Sequence, residues 1–144
     1  MRGLDGRIGI EAMDRPECLK RLRANKLGRV AVVIEGHPVL SPITYAVTDE
    51  LIVFRIAKGS KLDRALRGGP VSFEIDDADL AAGTGWSVIV TGWARVATTP
   101  AQADHFATLG LPAWADDDSD DWIVVHPERI SGRRLVPQED LTGG

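Results

Sequence analysis

Residues 29–57 read RVAVVIEGHPVLSPITYAVTDELIVFRIA. Three apolar runs rich in β-branched residues, Arg29 to Glu35, Pro38 to Val47 and Leu51 to Ala57, are separated only by Gly36-His37 and by Thr48-Asp49-Glu50. Connections this short join antiparallel neighbours, because a parallel crossover needs a dozen or more residues. The stretch therefore predicts a three-stranded meander and sets the chain among antiparallel β proteins.

Downstream, Lys58-Gly59 breaks the third run, and Ser60 opens a short helix from Lys61 to Arg67. Asp63 completes a Ser-x-x-Asp cap there, and Leu62 and Leu66 face inward. Val71, Phe73 and Ile75 alternate with Ser72, Glu74 and Asp76, the pattern of a half-buried strand. A loop from Asp77 to Thr84 leads to a long strand, Gly85 to Ala97, with Gly92 as an expected bulge. Both parities of this strand carry bulky apolar groups: Trp86, Val88 and Val90 on one, Ile89 and Trp93 on the other. A small barrel covers one face internally, so the other predicts a second copy of the chain. Thr99-Pro100 opens a helix bearing Phe106 and Leu109, an acidic loop follows, and Trp122 to His126 and Arg129 to Leu135 are the last strands. Upstream, Asp14, Pro16 and Glu17 mark a helix start, with Leu19 and Leu22 on its apolar side. Residues 1–10 read as a loose arm and 136–144 as a loose tail, all within one domain spanning 1–144.

The composition narrows the function. Seventeen basic against 21 acidic residues give a formal charge of −4, which argues against an extended nucleic-acid surface. One cysteine, Cys18, excludes an internal disulfide framework and a cysteine-rich zinc module. No apolar run approaches membrane-spanning length, and charges punctuate the first 30 residues, so no signal peptide is read and the cytoplasm is the expected compartment.

Chemistry-bearing motifs are few. His37, His105 and His126 show no metal-ligand spacing, Gly83-Thr84-Gly85 lacks the context of a dinucleotide fingerprint, and no serine sits in a nucleophile elbow. The run Asp116 to Asp121 lacks the glycine and distal glutamate of a calcium loop, and is expected to be a solvated loop without a tight metal. What remains is Arg55 on a strand, the Gly59 turn, and Ser60 and Lys61 at a helix start, a pattern that suits a phosphate or an ordinary capped helix. Four tryptophans, Trp86, Trp93, Trp114 and Trp122, either wall a flat ring system or pack in a core or subunit interface. An inventory this poor in acids, bases and metal ligands suits a cofactor that brings its own reactivity.

GRVAVVIEGHPVLSPITYAV (28–47), LIVFRIAKGSKL (51–62), VSFEIDD (71–77) and GWSVIVTGWARV (85–96) together resemble the pyridoxamine 5′-phosphate oxidase-like family of flavin-binding proteins, in particular its short actinobacterial and nitroimidazole-reductase-like branch. The resemblance spans residues 17–135. It implies a six-stranded antiparallel split β-barrel, a homodimer with FMN in clefts between the subunits, and oxidoreductase activity on a small-molecule substrate in a protein that binds neither nucleic acid nor membrane. It further implies that Arg55, Ser60 and Lys61 hold the FMN phosphate, that Pro42, Ile43 and Thr44 line the ring, and that Trp86 and Ser87 border the ring or the partner cleft. Authentic pyridoxamine-phosphate oxidases carry two adjacent basic residues after the serine, whereas Lys61 is followed by Leu62, so that reaction is not implied. Relatives that bind a deazaflavin keep two further readings open: a deazaflavin-dependent reductase, using Lys58, Arg64 and Arg67 along the cleft, and a non-enzymatic flavin or haem binder.

Overall fold

The structure, a computed structural model, describes residues 8–112 and 120–137. Among these, the elements run β1 (Ile8–Met13), α1 (Arg15–Ala24), β2 (Leu27–Ile34), β3 (His37–Thr44), β4 (Ala46–Thr48), β5 (Leu51–Ala57), α2 (Lys61–Ala65), β6 (Pro70–Asp79), β7 (Thr84–Val96), α3 (Pro100–Ala107) and β8 (Asp120–Pro137). All pairings are antiparallel, in the order β3-β2-β6-β7-β8-β5-β4. The long strand β8 organises the sheet. β7 takes one edge from Ile123 to Leu135, while β5 and β1 share the other, at residues 120–125 and 132–137.

The curled sheet is the antiparallel split β-barrel expected from the sequence, with eight described strands in place of six. Two differences have definite physical causes. The run Pro38 to Val47 divides at Tyr45 into β3 and β4, because the Tyr45 N–H donates to the Lys26 carbonyl at 3.0 Å and its hydroxyl to the Leu22 carbonyl at 2.7 Å. Conversely, the two last strand candidates are one strand, which stays paired through His126 and Pro127. Its register shifts opposite Thr91 and Gly92, where the bulge was expected. Only glycine fits at 92, since a Cβ there would lie 2.0 Å from the His126 carbonyl oxygen.

Other sequence boundaries move as well. Ile8 to Ile10, read as part of a loose arm, belong to β1, and Val136 and Pro137, read as tail, belong to β8; the two segments pair with each other. The expected loop 77–84 shrinks to a turn, as β6 reaches Asp79 and β7 begins at Thr84.

Alternate residues of the strands fill one core, with Phe54, Phe73, Val88 and Val90 wholly buried. Burying a side chain of this kind contributes roughly 1.5–3 kcal/mol. Tyr45 meets Phe73 edge-on at 4.8 Å, and α1 closes the barrel with Cys18, Leu19 and Leu22. Helix α3 lies on the opposite face of the β5–β8 pair, where Phe106 packs on Val53 and Val124. Both faces of β5 are therefore covered. No helix among the described residues is long and apolar enough to cross a membrane.

Candidate functional site

Strand β5 ends at Ala57 and the chain reverses through Lys58 and Gly59. Gly59 has φ of +79°, a conformation that glycine adopts without a Cβ clash. Ser60 caps α2: its Oγ accepts the Asp63 N–H at 3.0 Å, while Asp63 Oδ2 accepts the Gly59 N–H at 2.8 Å. These reciprocal bonds fix the turn. Against it opens a cavity of about 420 Å³ lined by Ser41, Pro42 and Ile43 of β3, Ile56 and Ala57 of β5, and Ser60 and Leu62. Its walls are mainly apolar, with hydroxyls at Ser41 and Ser60. Among the described residues β3 is the last strand in the sheet order, so along its outer edge backbone N–H and C=O groups meet no described strand.

The predicted site residues divide over this geometry. Pro42, Ile43 and Ser60 come together in the cavity. Lys61 stands beside it at the start of α2, its side chain 65% exposed and 3.8 Å from Glu35. Thr44 lines a different cavity, of about 330 Å³, with Tyr45, Lys26 and Leu109. Arg55 faces away, because strand alternation places it on the side of β5 opposite Phe54 and Ile56. There its Nε lies 3.5 Å from Asp120, and its guanidinium stacks 4.7 Å from the Trp122 ring. The arginine expected to reach out to a phosphate is thus buried, flanked by Asp120 and Trp122 of β8. Trp86 sits against α1 with Arg21 stacked on it at 4.7 Å. Ser87, on the other parity, faces outward opposite Asp76 and Arg133.

Behind the turn is a charge network. Asp63 is fully buried, and its Oδ2 also accepts from Arg67 at 3.0 Å. Arg67 reaches Asp121 as well, and Lys58 lies 3.9 Å from that carboxylate. Burial works against the charge on Asp63, but the Gly59 N–H and Arg67 outweigh it and hold the carboxyl below its ordinary range. Burial, and then the neighbouring Asp63, push Asp121 upward. Asp120 and Asp121, expected from the sequence in a solvated acidic loop, instead start β8 as buried partners of Arg55 and Arg67. The rest of that run, Asp116 to Ser119, and Trp114 lie outside the described residues. Of the three cations noted for a longer anionic ligand, Arg67 and Lys58 face these acids, and Arg64 is exposed.

The outer face of β3, β2, β6 and β7 is apolar and open. Leu40, Val33, Leu27, Trp93 and Ile89 are exposed there. A groove of about 510 Å³ runs past Val33, Pro38 and Trp93. Amid this face Arg29 bridges Glu74 at 3.3 Å and Asp76 at 3.4 Å. Burial and the adjacent Asp76 push the Glu74 carboxyl up to about 7. A folded-state pKa above the unfolded value means that native Glu74 keeps its proton longer, so its charge costs stability increasingly from about pH 4.5 to 7. Glu74→Gln should therefore match the wild type at pH 4 and exceed it by about 1–2 kcal/mol at pH 8, allowing for screening at a part-exposed group. Denaturant unfolding at both pH values checks this; a constant difference between the two proteins would contradict it.

A family profile described as pyridoxamine 5′-phosphate oxidase matches residues 14–134. The uncharacterized protein Rv0080 of Mycobacterium tuberculosis is 32% identical over 132 residues, covering 88% of this chain and 86% of its own length. Among solved structures, the FAD-binding protein from Mycobacterium smegmatis is 33% identical, with a TM-score of 0.76 over 86% of this chain and 98% of its own. A FAD-binding protein from Mesorhizobium loti is 25% identical, with a TM-score of 0.71 over 87% of this chain and 97% of its own.

Proposed function

Because the chain belongs to the pyridoxamine 5′-phosphate oxidase family, we propose that it binds a phosphorylated flavin, FMN, in the cavity between β3 and the β5–α2 turn, and acts as an oxidoreductase on a small molecule. The observation that carries this reading is the joining of two unlike surfaces in one cavity: the apolar wall of Pro42, Ile43 and Ile56, and the turn that presents Ser60 and Lys61. The wall suits a flat ring and the turn a dianion. The Ser60 oxygen already accepts the Asp63 N–H, which leaves the hydroxyl proton to donate to a phosphate oxygen. Lys61 adds a cation on a flexible stem. Arg55 is left out of this phosphate site, since it faces the other side of β5. The bound flavin would supply the electron-transfer chemistry; no side chain here is assigned as an acid or base.

The active unit in this reading is a homodimer joined through the open apolar face. An obligate interface buries roughly 2,000 Å² or more, and the exposed Leu40, Val33, Leu27, Trp93 and Ile89 supply apolar surface for one. Trp86 and Ser87 would then border the cleft from the second copy. FAD in place of FMN is a second reading, favoured by the two FAD-binding relatives; its longer diphosphate would extend past Ser60 toward Arg64.

The visible spectrum of the purified protein, with the mass of the ligand released on denaturation, tests the proposal. Flavin absorption and the mass of FMN are expected, and the mass of FAD would select the second reading. A protein that carries no flavin and takes up neither compound contradicts both.

A further inference from the structure

We propose that the cavity between the end of α1, strand β4 and the chain after α3 binds a small organic acid, a carboxylate on a compact apolar body. The site is distinct from the flavin cavity and does not depend on the flavin reading above. It measures about 330 Å³, at the lower end of the roughly 300–1,000 Å³ of ligand sites. Val47 of β4 and Leu109 and Leu111 beyond α3 give it apolar, half-buried walls. Gly110, with φ of +78°, reverses the chain between the two leucines, and both line the cavity.

The charges around it have one sign. Arg23 and Lys26 line the cavity, both exposed, and no acid lines it. Among the described residues neither cation pairs with an acid, whereas Arg15, Arg21, Arg29, Arg67 and Arg134 all do. In a chain with 21 acids against 17 bases, two such cations at one apolar cavity call for an anion from outside. A helix C-terminus also attracts cations. That accounts for Arg23, in the last turn of α1, but not for Lys26, which follows the extended Asn25 cap and lies outside the helix. The helix end carries about half a negative charge, and the Asn25 side chain already donates to the Arg21 carbonyl at 2.8 Å. Two full cations outweigh it. A guanidinium can hold a carboxylate through two parallel hydrogen bonds, and Val47, Leu109 and Leu111 take the apolar body. Free phosphate would gain nothing from those three walls.

Calorimetric titration of the purified protein with benzoate, benzamide and inorganic phosphate tests the site. Benzoate should bind saturably, one per chain. Benzamide, which has the same shape without the charge, should bind at least about tenfold more weakly, the loss of a charge-assisted contact, and so should phosphate. Arg23→Gln and Lys26→Gln keep the side-chain stem and remove the cation. Each should weaken benzoate about tenfold and leave benzamide within about twofold, with thermal unfolding unchanged. Lys20→Gln removes a cation of the same helix that does not line this cavity, and should leave benzoate within about twofold. The proposal is overturned if benzoate does not bind saturably, if benzamide or phosphate binds as tightly, or if the Arg23 and Lys26 variants bind benzoate like wild type. It is equally overturned if Lys20→Gln loses as much as Lys26→Gln, which would make the effect one of net charge. Should either variant at the cavity fail to fold, the other decides by the same criterion.

Discussion

The double substitution Val33→Asp, Leu40→Asp should convert the protein from a dimer into a monomer of 15.6 kDa at micromolar concentration. Val33 and Leu40 are diagonal neighbours on β2 and β3, 67% and 66% exposed on the apolar outer face of a single chain. Placing two like-charged carboxylates there, with a partner due to cover them, costs several kcal/mol per buried ion. Four kcal/mol is about a thousandfold in the dissociation constant, and two copies double the number of offending charges. The fold should survive, because both side chains face water in the isolated chain. Flavin affinity should fall as the dimer is lost, since the proposed cleft lies between copies. Light scattering together with flavin titration checks both parts. A wild-type monomer, or a variant that remains dimeric, contradicts the assignment of this face.

Lys61→Ala should weaken FMN binding by about 10- to 150-fold, the 1.5–3 kcal/mol of a hydrogen bond to a charged group. Among the described residues its ammonium pairs with Glu35 at 3.8 Å, itself 74% exposed. Such a surface pair contributes about 0–1 kcal/mol, so the cation is available to a ligand. Riboflavin, which lacks the phosphate, should bind variant and wild type alike, and stability without flavin should shift by less than about 0.5 kcal/mol. Equal loss of both ligands would place Lys61 outside the phosphate contact.

The meander was legible because its turns are short and its runs β-branched, and the cap at Ser60 because Ser-x-x-Asp is a local pattern. Pro42 and Ile43 follow from the family resemblance and Ser60 also from the strand–turn–helix pattern, and the fold brings the three into one cavity. The burial of Arg55 is not legible: alternation along β5 gives its side, but Trp122, distant in sequence, covers it there. Asp121 carried no local signal. Within a run of acids it reads as solvated, and only the fold shows that Arg67 meets it. The division at Tyr45 was equally hidden, since it depends on bonds to Leu22 and Lys26 across the barrel. Long-range pairing is what single-residue patterns leave out.

Titrating the wild-type protein with FMN and with riboflavin, side by side, tests the central claim most directly. The two ligands share the ring and differ in the phosphate. A phosphate held by Ser60 and Lys61 predicts that FMN binds at least tenfold more tightly, with the difference shrinking as salt screens the exposed ammonium. Equal affinities, or no binding of either, would contradict the placement of a flavin phosphate at the β5–α2 turn.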